Sequence, residues 1–460
     1  MSRALLVVPE RAAGWRSDGV VPLLHEAESA THAALCAAGV SVEVIGEDAP
    51  RFNAVLQEHS FVVMVRPTED SFRAVESSMK PTRGCLFRIL DCPEGTPRGP
   101  RFLRRVLLPT SGFSLAVSRL PRRSRIKGWR QRASFPRLAV LRPDQEDEVV
   151  GRWERGGPAL LRRTRDRLKI WTSGLPPDHL GTEDLARLLQ LMMEDFQGAV
   201  TSHAPVPDGA RAVVILFHDV EEALREDPRG LKSVREGTEA CLESEARLGF
   251  RATYNLVGTF AEQVGDLVKR IAAEHHEVAS HGASHREVVD LEPGSLREEV
   301  EGAENRIGKF LGTRVRGFRS PRSRWSGPLL DLLAERGYLW NAEVDSSPYP
   351  YQVPRGSRGG LVRVPVAVDD WDYVRKRASP RNVLNLWKSE VLSAERRGCW
   401  VAIGSHPSVL GAKAGRLDAF REFLEWLSTR EVRVMTLGDA SAWWLARTST
   451  AEVKREEVAP

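Results

Sequence analysis

No apolar run in the 460-residue chain approaches the roughly 20 residues that a transmembrane helix needs. The N-terminus, MSRALLVVPERAAGW, holds one short apolar run, and Glu10 and Arg11 follow it directly. That is too short for a signal-peptide core and reads as a first β-strand, so a cytoplasmic protein is expected. Cysteine is scarce. The five residues at 36, 85, 92, 241 and 399 form no C-x-x-C pair, and an odd, scattered set in a long chain is no disulfide framework. Cys85, beside Gly84, reads as a buried structural thiol rather than a nucleophile. Acids are missing from Gly95 to Pro143, a stretch with thirteen Lys or Arg that includes Arg122-Arg123-x-Arg125-x-Lys127. Such a surface either attracts phosphate or another polyanion, or is a solvated face. Phe113, Trp129 and Phe135 are too few to stack bases, so nucleic acid is not an expected partner.

What remains is an ordinary globular composition, with 42% hydrophobic and 28% charged residues. The length predicts two or three domains. Short apolar runs at 4–8, 42–45, 61–65 and 86–90 alternate with helical stretches such as 25–38. Residues 159–171 read as a late strand pair, and 182–196 as a closing helix. This pattern predicts an open parallel α/β domain over 1–200, flavodoxin-like or glutamine-amidotransferase-like in outline. No G-x-C-x-G elbow is present there, and no catalysis is assigned to it. Residues 201–210, rich in Pro, Gly and small polar side chains, read as a linker. From 211 to 447 the α/β alternation is regular, with eight strand candidates at 212–217, 252–257, 277–280, 315–318, 338–341, 361–366, 400–404 and 433–436. About 240 residues of repeated βα units predict a barrel or distorted barrel. Residues 448–460 read as a charged tail.

In such a barrel, chemistry sits at the C-terminal ends of the strands. The first strand ends in His218-Asp219-Val220-Glu221. The third ends in His281-Gly282-Ala283-Ser284-His285, the fourth in Arg319-Ser320-Pro321. The fifth leads to Asp345-Ser346-Ser347, and the seventh ends in Ser405-His406-Pro407. Five strand ends thus deliver acids, histidines and an arginine to one rim. His281 and His285, on a helical turn, place two imidazoles on one face at a spacing that grips one ion. A divalent first-row ion accepts two His and one carboxylate and keeps positions open for water and substrate. Asp219 or Glu221 supplies the third ligand.

These segments resemble the NodB-type polysaccharide deacetylases, carbohydrate esterases with a distorted (β/α) barrel. The H-x-x-x-H motif after a short strand matches His281–His285, and R-x-P matches Arg319-Ser320-Pro321. A late apolar strand ending in histidine matches Val401–His406. Arg251–Gly258 is similar to the family's second strand, and the resemblance covers roughly residues 212–440. The first motif departs from the commonest form, two adjacent aspartates. Aligned to a D-x-D variant, with Glu in place of the second Asp, the resemblance implies that Asp219 is the general base. Glu221, His281 and His285 then hold the metal. Aligned to the adjacent-acid form, Asp219 becomes the ligand and His218 takes the base position. The D-x-D alignment is preferred.

The resemblance implies a metal-dependent hydrolase that removes an acetyl group from an N- or O-acetylated sugar or glycoconjugate. Zinc is the expected ion, and cobalt or nickel also fits. His406 is the implied acid, Arg319 orients Asp219, and Asp345 orients His406. Trp325, Trp371 and Tyr349 line a sugar groove or belong to the core. His218 has an alternative reading as an imidazole packed beneath the site. Two other readings stand beside this one: a C–N hydrolase of a non-sugar amide or ureide, and an inactive carbohydrate-binding or scaffold protein. The basic stretch at 95–143 suits a phosphorylated substrate.

Overall fold

The computed structural model describes residues 3–8, 24, 26–47, 49, 52–79, 84–90, 102–106, 111–115, 130–133, 138–153, 157–175 and 182–197, and residues 204–456 except 225–226, 346, 355–359 and 414. Arg122, Arg123, Arg125 and Lys127 of the basic stretch lie outside the described residues, as do Trp129, Phe135, Cys92 and Ser346. The chain divides into two compact units, Met1–Ala13 with Leu24–Ala204, and Gly14–Leu23 with Pro205–Pro460. No helix among the described residues is long and apolar enough to cross a membrane.

In the first unit, Arg3–Val8 lies between the parallel strands Ser41–Gly46 and Phe61–Val65. The sheet continues in parallel through Gly84–Ile89 to Leu168–Ser173. Every residue of Phe61–Val65 and Gly84–Ile89 is buried, as strands covered on both faces require. The expectation of a purely parallel sheet needs correction. Asp166 and Arg167 join Pro158–Arg165 to Leu168–Ser173 as an antiparallel pair, and two residues are too few for a parallel crossover. Asp166 adopts φ 55°, which closes this turn. Glu148–Trp153 and Ser111–Leu115 then extend the sheet antiparallel, making it mixed. Cys36, Cys85, Cys241 and Cys399 are buried.

In the second unit the strands are β1 (Ala212–Val220), β2 (Thr253–Leu256), β3 (Glu277–Ser280), β4 (Gly317–Arg319), β5 (Trp340–Val344), β6 (Tyr351–Pro354), β7 (Gly360–Val366), β8 (Trp400–Ser405) and β9 (Val432–Met435). Parallel pairing runs β1–β2–β3–β4–β5–β7. Ala367 and Val368, just past β7, bond to Ala402 and Gly404 of β8. β8 pairs with β1 over Val213–His218 and closes the ring. The ring is irregular. β3 and β4 share one residue pair, Ser280 with Phe318, and β9 lies along only the first part of β1. β6, outside the strands read from sequence, runs antiparallel to β7.

Local signals set the helices between these strands. Ser379 caps Pro380–Arg397 by accepting from the Asn382 amide, and Gly398 ends that helix in the left-handed conformation. Leu231–Leu248 ends the same way at Gly249. The final helix, Leu437–Glu456, runs through the first residues of the segment read as a charged tail. One close approach bears on the site: a Cβ on Gly237 would lie 2.2 Å from the Pro407 carbonyl oxygen. Glycine therefore lets Leu231–Leu248 seat directly on the turn that follows His406.

Candidate active site

Strand alternation sorts the first motif. Successive side chains point to opposite faces, so Asp219 takes one face of β1 and His218 the other, and Glu221 follows just past the strand's last residue, Val220. Asp219 is buried and accepts from Asn255 Nδ2 of β2 at 2.8 Å. Its Oδ2 lies 3.4 Å from Arg319 Nε and 3.7 Å from His406 Nε2. Burial pushes its pKa up. His281, Arg319, His406 and the Asn255 bond pull it down further, to about 2.

Glu221, His281 and His285 gather beside it, with one ligand atom of each within 4.8 Å of the others. Glu221 Oε2 is 2.7 Å from His285 Nε2 and 3.9 Å from His281 Nε2. His281 Nδ1–H donates to the Arg319 carbonyl at 2.7 Å. That bond fixes the tautomer and turns the Nε2 lone pair toward Glu221, the support that a metal-binding histidine requires. Burial holds His281 well below the usual imidazole range, at about 4, so it is neutral at pH 7. A carboxylate oxygen and two imidazole nitrogens around one point fit a divalent ion.

The expected helical turn is absent. His281–His285 is an irregular loop after β3, with Gly282 at φ 80° and His285 at φ 62°. Other bonds hold its shape. Gly258 and Thr259 amides donate to the Gly282 and Ala283 carbonyls. Ser284 N–H donates to Glu299 at 3.0 Å. The two rings still meet, with centroids 5.0 Å apart.

Arg319 sits between two acids. Its Nη1 donates to Glu343 Oε2 at 2.9 Å, to Ser323 Oγ at 2.6 Å and to the Ala342 carbonyl at 3.1 Å. Glu343 is fully buried and also accepts from the Ser320 amide at 2.9 Å. This lattice aims the guanidinium at Asp219.

His406 is held by Asp370. Nδ1 lies 2.6 Å from Asp370 Oδ1, and the His406 amide donates to Oδ2 at 3.0 Å. Burial alone would lower the His406 pKa, but Asp370, Glu221 and Asp219 raise it to about 10. The imidazolium is therefore the form present at neutral pH. Asp345, read from sequence as this partner, is elsewhere. It accepts from Tyr351 Oη at 2.5 Å and lies 3.5 Å from Arg363 Nε. The reason is topological. β5 reaches β8 only across β7, so the acid that meets β8 comes from the β7 exit. That exit, Asp369-Asp370-Trp371, is the sixth strand end, and the sequence reading passed over it. Asn255, on the second strand, was missed for the same reason.

Trp371 is the aromatic at the site, its ring 5.0 Å from that of His406. Trp325 and Tyr349 are buried; Trp325 packs under Arg363 and Tyr349 stacks on Trp444. On the outer face of β1, His218 bonds Ser405 Oγ at 2.8 Å and Glu245 Oε1 at 2.6 Å. Tyr254 Oη donates to the other Glu245 oxygen at 2.7 Å. His218 therefore does not occupy a base position. It lies beneath the site, in register with Tyr254 on one side and Ser405 on the other.

Residues 206–339 match the family model described as polysaccharide deacetylase. The C-terminal region carries a polysaccharide deacetylase domain. Among curated deacetylases, the chain is 31% identical over 87 residues to a chitooligosaccharide deacetylase of Bradyrhizobium sp., covering 19% of this chain and 40% of that protein. It is 23% identical over 203 residues to a peptidoglycan-N-acetylglucosamine deacetylase of Bacillus cereus, covering 44% of this chain and 62% of that one. In both cases it spans less than two thirds of the relative's length. A solved Mycobacterium smegmatis structure described as a polysaccharide deacetylase aligns with a TM-score of 0.48 and 25% identity, over 54% of this chain and 96% of that one. Within the deacetylase domain of the present chain, the family-model match includes Asp219, Glu221, His281, His285 and Arg319 and ends before Asp370 and His406.

Proposed function

We propose that the C-terminal unit removes an acetyl group from an N- or O-acetylated sugar or glycoconjugate, with a divalent metal ion held by Glu221, His281 and His285. The observation that carries this reading is the placement of those three donors beside a buried, ionised Asp219 and an Asp370-bound His406. The deacetylase relatives support the acetylated sugar.

Glu221, His281 and His285 would hold the ion, zinc being the expected one with cobalt or nickel also fitting, and when bound it would supply Lewis acidity toward the substrate carbonyl and the attacking water. Asp219 stays ionised down to about pH 2 and takes a proton from that water. Arg319 and Asn255 hold its two oxygens in place. His406 gives the Nε2 proton to the leaving nitrogen or oxygen, while Asp370 steadies Nδ1 and the positive charge. Nε2 and Asp219 Oδ2 are 3.7 Å apart, so a proton taken by one returns to the other between turnovers.

The test is acetate release by the full chain from a panel of acetylated sugars, nucleotide sugars and cyclic amides, before and after metal stripping. Acetate is expected from at least one acetylated sugar, lost on stripping and restored by zinc, cobalt or nickel. Turnover of cyclic amides alone, or failure to take up stoichiometric metal, overturns the reading.

A further inference from the structure

A cavity of about 520 Å³ opens at the same end of the barrel. Its wall includes Leu224 and Asp227 from the β1 exit, Tyr373 and Arg377 from the β7 exit, and Lys413 and Arg416 from the β8 exit. These exits also carry Glu221, Asp370 and His406. The cavity therefore flanks the His406 side of the site, and the metal-binding loop lies off another strand.

The wall is cationic, and its cations are largely uncommitted. In the run Arg375-Lys376-Arg377, Arg375 faces Asp369 at 3.7 Å and Lys376 faces Asp372 at 3.0 Å. Arg377, the member that lines the cavity, pairs with no acid among the described residues, and neither does Lys413. Asp227, the one acid among the described residues of the wall, is occupied. It accepts from Arg229 Nε at 3.1 Å, from Nη2 at 2.8 Å and from the Arg229 amide at 3.0 Å.

Two features are built rather than incidental. Arg416 is a buried arginine whose Nη1 donates to the Val409 carbonyl at 2.8 Å. Its guanidinium lies 4.7 Å from the centre of the Tyr373 ring, which fixes the plane of the fork. Tyr373 is itself buried, so its ring is a fixed platform for that guanidinium. Arg377 stands at φ 51°, a conformation that non-glycine residues rarely adopt, and strain of this kind gathers at binding sites.

We propose that this cavity binds a phosphate group carried by the substrate, with Arg416, Arg377 and Lys413 as its cations. An arginine fork with added point charges is the arrangement that phosphate favours. A volume within the usual range for small-ligand pockets leaves room for more than the phosphate itself. The substrate would then be a phosphorylated acetamido sugar, its acetyl group at the metal donors and its phosphate beside the His406 loop. The substrate assignment rests on the deacetylase reading; the phosphate site does not.

Equilibrium binding to the full chain tests it, with N-acetylglucosamine, N-acetylglucosamine 1-phosphate and N-acetylmuramic acid as probes. The phosphorylated sugar should bind roughly ten- to a hundredfold more tightly than the neutral one. Inorganic phosphate should compete with it, and should still bind after metal stripping. The doubly substituted Arg377→Glu/Lys413→Glu chain should lose the preference. Equal binding of the neutral and phosphorylated sugars overturns the proposal. So does a preference that survives charge reversal, or phosphate binding that vanishes with the metal. Tighter binding of the carboxylate sugar replaces phosphate with carboxylate and overturns the assignment. Acetate release is read separately: a phosphate preference without deacetylation of any probe counts against the enzymatic reading alone.

Discussion

His281 and His406 stand on opposite sides of Asp219, both buried, and their environments drive them in opposite directions. The Nδ1–H of His281 meets a neutral backbone carbonyl, and burial keeps the ring uncharged down to about pH 4. Nδ1 of His406 meets the Asp370 carboxylate, and the ring stays charged up to about pH 10. One partner atom thus decides between a lone pair for a metal and a proton for a leaving group. The same residue type, buried in one rim, serves as base-form ligand or acid-form donor according to what stands behind it.

Removing the ligand side should have the largest effect. His281→Ala or Glu221→Gln is expected to abolish stoichiometric metal binding, read by elemental analysis, and to lower acetate release by about a thousandfold or more. On the acid side, His406→Ala is expected to lower kcat by about 10²–10⁴-fold while metal content stays unchanged. If both variants lose metal, the two histidines do not divide the work.

Asp370→Asn sharpens the comparison. It removes the negative charge that stabilises the imidazolium, so the His406 pKa should fall from about 10 toward the ordinary 6.5. The acid form is the protonated one, so activity should then decline with rising pH from near neutrality. In the metal-free parent chain, Asp219 is ionised above about pH 2 and His406 is protonated below about 10, so neither should titrate between pH 5 and 8. The check is kcat/KM against pH for the metal-loaded variant and its parent, in which the alkaline limb of Asp370→Asn should lie at lower pH.

Much of this was legible in the sequence, because strand ends announce themselves. Apolar runs stop at Asp219, His281, Arg319 and His406, and a barrel gathers such ends on one rim. The pairing of residues from strands distant in sequence was not legible. Asp345 and Asp370 both follow strands, and only the pairing order β5–β7–β8 tells which of them meets His406. The loop at His281–His285 was misread for a different reason. An i, i+4 pair looks helical, yet its shape here comes from Gly282, His285 and the Glu299 carboxylate of the helix that follows. In the N-terminal unit, apolar runs located the parallel strands, while the two-residue turn at Asp166-Arg167 made the following pair antiparallel.

Smaller effects probe the support beneath the site. Glu245→Gln replaces the carboxylate shared by His218 and Tyr254 in the layer behind Asp219 and His406. It is expected to cost about 1–3 kcal/mol of stability, measured by denaturant unfolding. Asp345→Asn should have the smallest effect on catalysis. It weakens the contacts to Tyr351 and Arg363 and should leave the pH profile in place. A profile shifted like that of Asp370→Asn would return Asp345 to the role read from sequence.

The opposed charge states of His281 and His406 are best tested by following their imidazole resonances by NMR in the metal-free protein as pH is raised. His406 should remain protonated through pH 8 and titrate near 10, while His281 is already neutral at pH 6. Midpoints near 6.5 for both rings would contradict the account.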